Sequence, residues 1–296
     1  MKNYKIAIAM LTAIGTKIGA VVLTIVFLMS CNQATTISPN ACIMAAGAYP
    51  QENDGSMHLQ LSNYNPTNGS NPPSFYGSEL ISNQVFIPTA GTILDITVHA
   101  KLDVPSPGGY VGTLFLYPAT LPSAANNYID NEVDFEILSN NVANGSNMVQ
   151  TNVYANQSLG AGNAIMVNLP SGTLTDYHAY EIVLNPGISV TWKIDGITVR
   201  TDSVHVPNEQ MRFYINAWVP TSNWTQAYNA GIQPVTNDSA CQAWYMDVNN
   251  LTISANGTNL LSDSFSGTSV NTQIWSLPVW STNGSTFIGR TQLVTQ

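Results

Sequence analysis

The chain has 296 residues, which allows one large domain or two small ones, and only 8% of these residues are charged. Five basic and 17 acidic residues follow Cys31, so the body of the protein is acidic and repels nucleic-acid phosphates. This charge balance argues against a nucleic-acid partner, whereas a neutral polymer such as a polysaccharide meets no such repulsion.

Residues 1–31 are typical of a targeting or anchoring segment that is not part of the fold. Lysines near the start precede an apolar run at residues 18–29, which leads through Ser30 to Cys31. The four residues that end in Cys31 resemble a bacterial lipobox, which makes Cys31 the expected lipidation site and membrane anchor. The alternative is an uncleaved single-pass anchor, since residues 6–30 are long enough to span a bilayer. Both interpretations place the domain outside the cytoplasm, either lipid-anchored to the cell envelope or secreted.

Residues 32–54 contain several turn-forming residues and no apolar period, which predicts a linker. Residues 55–296 are then expected to form the folded domain. If Cys31 is lipidated, Cys42 and Cys241 remain as an even pair in an oxidising compartment. A disulfide between Cys42 and Cys241 is one expectation and two free thiols are the other, because the sequence does not give their distance.

Beyond the linker, short strand-like runs alternate with clusters of turn-forming residues, roughly every 8–15 residues. The clearest hairpin joins residues 190–194 to residues 197–200 through Asp195-Gly196, a preferred pair for a type I′ turn. Trp192 shares a strand face with Val190 and Ile194, so we expect it in the core. Many short strands with regular turns predict an all-β fold, a two-sheet antiparallel sandwich.

Three carboxylates stand at alternate positions of one strand-like run, Glu132, Asp134 and Glu136. Because a strand sends alternate side chains to opposite faces, the three acids share one face, and Val133 and Phe135 take the other. Like charges this close raise one another's pKa and destabilise a sheet. A pair of carboxylates with separated pKa values suits retaining cleavage of glycosidic bonds. From the residues alone, the alternative is a carboxylate cluster that binds Ca²⁺ through oxygen ligands or makes buried hydrogen bonds.

Taken in order, these motifs resemble glycoside hydrolase family 16, the group of laminarinases, lichenases and xyloglucan endotransglycosylases. The run Glu132 to Glu136 matches the family's E-x-D-x-E strand, and the resemblance covers roughly residues 55–253. It implies a jelly-roll sandwich of the concanavalin type, although Leu184 stands where the family usually has Trp. The other matching segments, in chain order, are residues 75–81, 149–154, 177–186, the 195–196 hairpin, 211–218, 223–224 and 245–248.

The resemblance also implies roles for individual side chains. In the family's order Glu132 is the nucleophile, Glu136 is the general acid and base, and Asp134 assists between them. Four further side chains match positions that would bind sugar, as aromatic platforms or as amide partners: Trp218, Trp224, Gln150 and Asn152. The alternative for the two tryptophans is an ordinary place in the core. The four histidines show no ligand spacing, so we predict no metal-binding site and no required cofactor, with a structural Ca²⁺ left open.

The C-terminal residues 260–296 carry a second family-like pattern. Family members usually begin with a strand that reads D-x-F-x-G followed by Trp, and residues 32–54 lack it. The pattern occurs instead at residues 263–267 and Trp275. We therefore predict a circular permutation in which residues 260–296 supply the missing first strands. The alternative is the truncated start of a second copy.

Together these observations predict a monomeric, endo-acting, retaining β-glycosidase that hydrolyses or transglycosylates polysaccharide β-glucans by double displacement. The expected linkages are β-1,3 or mixed, with xyloglucan or a galactan as alternatives. Because a fold hosts several functions, a non-catalytic, lectin-like surface module on the same sandwich remains the alternative function. A Ca²⁺-stabilised adhesion protein is a third.

Overall fold

A computed structural model describes residues 50–53, 55–63, 75–102, 108–122, 125, 127, 129–158, 162–235, 240–278, 280–281 and 285–287. The chain divides into two units, Met1–Thr36 and Ile37–Gln296, and every described residue belongs to the second. The predicted anchor at residues 1–31, with Cys31, and also Cys42 lie outside the described residues. Within the described ranges, no helix has the length and apolar character needed to cross a membrane.

The described residues form 17 strands and one short helix. In the first half of the chain these are β1 (Gln51–Asn53), β2 (Ser56–Ser62), β3 (Phe75–Ser82), β4 (Leu94–Leu102), β5 (Val111–Pro118), β6 (Ile129–Leu138), α1 (Ser139–Ala143) and β7 (Met148–Ser158). The rest are β8 (Ile165–Asn168), β9 (His178–Asn185), β10 (Ser189–Ile194), β11 (Ile197–Asp202), β12 (Met211–Trp218), β13 (Ala243–Ala255), β14 (Thr258–Asp263), β15 (Trp275–Ser276), β16 (Trp280–Ser281) and β17 (Ser285–Phe287).

The strands build two antiparallel layers, which confirms the predicted two-sheet sandwich. In the front sheet the order is β15-β3-β12-β5-β6-β7-β8. In the back sheet the order is β1-β2-β13-β4-β9-β10-β11, and β14 pairs with the second half of β13. Strand β3 links the layers, since it also pairs with β2 and, in parallel, with β17. The prediction of a linker over residues 32–54 is wrong at its C-terminal end, because β1 forms there and pairs with β2.

The core lies between the layers and follows the period of two along the strands. Strand β9 alternates buried and half-buried residues throughout, and strand β4 does the same. Phe135 enters the core from the front sheet and Trp192 enters it from the back sheet, and both are fully buried. The prediction for Trp192 is therefore confirmed. Burial of large apolar side chains from both sheets stabilises the sandwich.

The predicted hairpin between β10 and β11 forms as the sequence indicates. Asp195 and Gly196 have φ angles of 51° and 76°, the positive values that a type I′ turn requires at both central positions. Asp195 also ties the turn to β9, because its carboxylate accepts a hydrogen bond from the Ala179 N–H at 2.9 Å and lies 2.7 Å from His178 Nδ1. His178 therefore has a structural place in the back sheet.

The C-terminal strands pack into the same domain. Phe265 and Trp275 are buried with stacked rings 6.1 Å apart, and the Trp275 indole N–H donates to the Asp263 carboxylate at 2.8 Å. Strand β15 extends the front sheet by pairing with β3. This packing is what a circular permutation requires, and the permutation itself stays a prediction. Cys241 is disulfide-bonded, and the other two cysteines of the chain lie outside the described residues.

Candidate active site

Strand β6 holds the three predicted acids on one face of the front sheet. Val133 and Phe135 point into the core from the other face and are fully buried. Asp134 is 1% exposed, whereas Glu132 and Glu136 are half-buried. The prediction that the three acids share one face is therefore confirmed. The two longer side chains, Glu132 and Glu136, stand at the ends, and the shorter Asp134 is buried between them.

Strand β7 places the two predicted amides directly beside these acids. Gln150 lies opposite Glu136, and Asn152 lies opposite Asp134. The Gln150 side-chain N–H donates to Glu136 Oε2. Asn152 instead uses its side-chain oxygen to accept from the Val153 N–H at 2.9 Å. Gln150 is thus the amide that contacts an acid, and Asn152 lines the same face.

An aromatic cluster that the sequence did not reveal lies on the other side of β6. Phe115 of β5 pairs in register with Asp134, and Tyr214 of β12 pairs with Phe115. The Phe115 and Tyr214 rings stack at 4.9 Å, and Tyr117 meets both rings edge-on at 6.0 and 5.8 Å. We call Phe115, Tyr117 and Tyr214 the aromatic triad. It forms an apolar wall toward the Glu132 end of the site.

The two predicted tryptophans lie together toward the Glu136 end. Their rings are 5.8 Å apart, and both are half-buried. The Trp218 indole N–H donates to Thr113 Oγ1 at 3.0 Å, and Thr113 is the β5 residue opposite Glu136. Aromatic faces at both ends of the acids are what a bound chain of sugar rings needs.

A buried polar pair that the sequence analysis also missed continues the row of Glu136 and Thr113. Asn216 of β12 lies opposite Thr113, and Glu79 of β3 lies opposite Asn216. The Asn216 amide donates to Glu79 Oε1 at 3.0 Å, and both side chains are buried. The polar row therefore crosses four strands of the front sheet.

Comparison with known proteins decides the family. The model of the glycosyl hydrolases of family 16 matches residues 40–235, about two thirds of the chain. The chain belongs to glycoside hydrolase family 16. No curated protein matches it.

Among the similar solved structures, a lichenase supports the same fold at low identity. A lichenase (prokaryotic β-1,3-1,4-glucanase) derived from a mouse hindgut metagenome is 21% identical, with a TM-score of 0.50 over 69% of this chain and 82% of that chain. The Bacillus licheniformis β-glucanase is 24% identical, with a TM-score of 0.45 over 67% and 77%. The family 16 protein of the Bacteroides ovatus mixed-linkage glucan PUL, in complex with a G4G4G3G product, is 15% identical. Its TM-score is 0.49 over 67% of this chain and 81% of that chain.

Burial sets the electrostatics of the family 16 acids. Burial raises the pKa of Glu136 to about 7, although the hydrogen bond from Gln150 pulls it down. Burial also raises the pKa of Glu132 well above its usual range, and the charges of Asp130 and Glu136 raise it further. The pKa of Asp134 is raised by burial and then by the charges of Glu132 and Glu136. Because each acid lies within reach of its neighbours' charge, the three titrate as a coupled set.

The back sheet supports the acids from behind. The Trp192 indole N–H donates to the backbone carbonyl of Asp134 at 2.9 Å. The Arg200 guanidinium lies 4.4 Å from the Trp192 ring centroid, and Nη1 donates to the Thr151 carbonyl at 3.0 Å. Trp192 and Arg200 thus tie β6 and β7 to the opposite layer and fix the strand that carries the acids.

Within the described residues, no group of three or more His, Cys, Asp or Glu side chains is arranged to hold a metal ion. The three acids of β6 can supply a nucleophile and a proton donor on one face.

Proposed function

We propose that the protein is an endo-acting, retaining glycoside hydrolase that cleaves neutral β-glucan chains. Its membership of family 16 gives the class of hydrolase, and the arrangement of the acids supports the role of each. The observation that carries the proposal is the set of three acids on one sheet face with aromatic rings at both ends. A chain that extends past both ends of the acids is cleaved internally, which is the endo mode.

The geometry of β6 suits double displacement. Positions four apart on a strand have Cα atoms about 13 Å apart, whereas retaining enzymes need carboxyls ~5–5.5 Å apart. The two long Glu side chains can lean toward each other across the shorter Asp134. Glu132 then attacks the anomeric carbon as the glycosidic C–O bond breaks, and a covalent glycosyl-enzyme forms.

Glu136 supplies and recovers the proton. With a pKa of about 7 it keeps its proton in mildly acidic to neutral solution and donates it to the leaving oxygen. The Gln150 N–H holds Glu136 Oε2 in place. In the second step Glu136 removes a proton from water, which attacks the anomeric carbon and releases Glu132. A sugar hydroxyl in place of the water gives transglycosylation.

The charges of the described residues favour a neutral polysaccharide. Each basic side chain in this part of the chain is engaged: Lys101 with Asp247, Lys193 with Glu181, Arg200 with Asp202, and Arg212 with the Ser82 carbonyl. The front-sheet face instead presents acids, amides and aromatic rings. A sulfated or carboxylated polymer would meet repulsion there, so β-1,3-glucan or mixed-linkage β-glucan is the better substrate class.

We also propose that the domain works outside the cytoplasm. Cys241 is disulfide-bonded, and such bonds persist in oxidising compartments. If Cys31 carries lipid, Cys42 is the partner. Mass spectrometry of the purified protein should then show a diacylated Cys31 and a peptide that joins Cys42 to Cys241. A peptide that joins Cys31 to Cys241 would contradict the lipid anchor.

The test of the function is a polysaccharide panel with product analysis. The panel contains β-1,3-glucan, mixed-linkage β-glucan, xyloglucan and a sulfated galactan, and the products are sized and assigned by NMR. We expect oligosaccharides from the neutral glucans with the β-configuration as the first-formed anomer. The isosteric Glu132→Gln variant should bind these glucans and release nothing. Binding without cleavage by the wild-type protein would favour the lectin-like function instead.

A further inference from the structure

Strand β7 carries a tyrosine, Tyr154, on the sheet face that also holds Gln150 and Asn152. Strands send alternate side chains to opposite faces, and Val153, the neighbour of Tyr154, is fully buried in the core. In register, Tyr154 lies opposite Glu132, the end of the acid set where the proposed nucleophile stands. The half-buried Tyr154 side chain therefore borders the space that a sugar bound at Glu132 has to occupy.

A glycine meets the Tyr154 ring on the side of β7 that faces away from the acids. Gly162 and Asn163 lead into β8, and β8 pairs with the edge of β7 opposite to β6. A Cβ atom added at Gly162 would lie 2.4 Å from Tyr154 Cζ and 2.7 Å from Tyr154 Cε2. Because carbon atoms in contact need about 3.5–4.0 Å, the tip of the ring occupies the space that a side chain at position 162 would fill.

The need for space, rather than for an unusual backbone conformation, explains the glycine. Gly162 is not among the residues with positive φ angles in the described part of the chain, so alanine could adopt its backbone conformation. The added Cβ would also lie 2.7 Å from Asn152 Oδ1, which accepts a hydrogen bond from the Val153 N–H at 2.9 Å. Position 162 therefore lies against the same face of β7 that borders the acids.

Hydrogen bonds hold the backbone of this segment against β7. The Asn163 N–H donates to the Val153 carbonyl at 3.1 Å. The Asn163 side-chain amide donates to the same carbonyl at 3.0 Å and to Gln157 Oε1 at 2.9 Å. The segment cannot retreat from the strand without loss of these bonds, whereas a tyrosine ring turns about two side-chain torsions. A side chain at position 162 would therefore move the Tyr154 ring before it moved the backbone.

We propose that Gly162 is a positioning residue, whose lack of a side chain gives the Tyr154 ring a seat on the β8 side of β7 and keeps the space over Glu132 open for the sugar. The inference rests on the proposed role of Glu132 as the nucleophile. With the ring in this seat, the anomeric carbon of a bound glucan can approach the Glu132 carboxylate. A side chain at position 162 would turn the ring toward β6 and over the acids.

Gly162→Ala tests the seat. We expect kcat/KM on soluble mixed-linkage β-glucan to fall by about 10–100-fold, since a misplacement of about 1 Å at the reacting atoms can cost roughly 10²-fold. Tm should stay within a few degrees of the wild type, because the atoms that yield lie at the tip of a side chain. Gly187→Ala is the matched control with the reverse pattern. Gly187 has open space around it and a φ of 73°, so alanine there should lower Tm and leave kcat/KM unchanged.

A second substitution shows whether the effect passes through the ring. Tyr154→Ala removes the atoms that the new Cβ would strike. In the Tyr154→Ala background, Gly162→Ala should therefore cost no more than about twofold in kcat/KM. The full loss in the double variant would overturn the proposal. A Gly162→Ala protein that keeps wild-type activity, or that loses its fold, would overturn it as well.

A further readout does not depend on hydrolysis. Crystal structures of the wild-type and Gly162→Ala proteins should show the Tyr154 ring turned toward β6 in the variant, with the hydrogen bonds of Asn163 intact. An unmoved ring beside a displaced segment at residues 162–163 would contradict the proposal, even if the wild type cleaves no glucan. If Tyr154→Ala is itself inactive, the position of the ring in these two structures decides the matter.

Discussion

Replacing Gln150 by Met should shift the alkaline limb of the pH profile. The Gln150 side chain donates a hydrogen bond to Glu136, and this bond lowers the pKa of Glu136 because it stabilises the ionised form. Methionine keeps the length of the side chain and removes the donor. The ionised form of Glu136 then loses its partner, the pKa of Glu136 rises, and the acid form persists to higher pH.

The size of the shift follows from the strength of one hydrogen bond. A bond to a charged group contributes about 1.5 kcal/mol, and one pKa unit corresponds to about 1.4 kcal/mol. The pKa of Glu136 should therefore move from about 7 to roughly 8. The alkaline limb of kcat/KM, which reports the essential acid of the free enzyme, should move by about one unit.

The assay is kcat/KM on soluble mixed-linkage β-glucan across the pH range, with Gln157→Met as the matched control. Gln157 is on the same strand but lies opposite Asp130, at the far end from Glu136. The control should keep the wild-type alkaline limb. A Gln150→Met limb that stays in place or moves to lower pH would refute the role of Gln150, and also the assignment of Glu136 as the acid.

Three further predictions test other parts of the structure. Glu136→Gln should lower kcat by about 10²–10⁴-fold on glucan, and an unchanged kcat would exclude Glu136 as the acid. On an aryl β-glucoside, whose activated leaving group departs without a proton, added azide should restore turnover by attacking the glycosyl-enzyme. Trp192→Phe leaves the Asp134 carbonyl without its indole donor. The free energy of unfolding should therefore fall by about 2 kcal/mol, and Tm in a thermal melt should fall by roughly 4–8 °C. A wild-type Tm would show that the hydrogen bond does not stabilise the fold. Deleting residues 260–296 removes the buried Phe265 and Trp275 and should unfold the domain by circular dichroism; an unchanged melt would remove the case for circular permutation.

The period of two along strands explains how much of the site was predictable from the sequence. Glu132, Asp134 and Glu136 could be placed on one face because alternate side chains of any strand share a face. Gln150 followed from the neighbouring strand of the family motif. The hairpin at Asp195-Gly196 followed from local turn chemistry.

Long-range pairing explains what the sequence did not reveal. The aromatic triad comes from β5 and β12, which are about a hundred residues apart in the chain. The local sequence of neither strand predicts the register that places Phe115 opposite Tyr214. The sequence analysis also missed the buried carboxyl of Asp130, which lies at a register shift in the pairing of β6 with β7.

Trapping the covalent intermediate tests the central claim most directly. The protein would be incubated with a 2-deoxy-2-fluoro β-oligoglucoside that carries an activated leaving group, and then analysed by intact mass and peptide mapping. We predict one added glycosyl group, on the peptide that contains Glu132, and none in Glu132→Gln. A glycosyl group on another residue, or turnover of glucan with inverted products and no adduct, would contradict double displacement at Glu132.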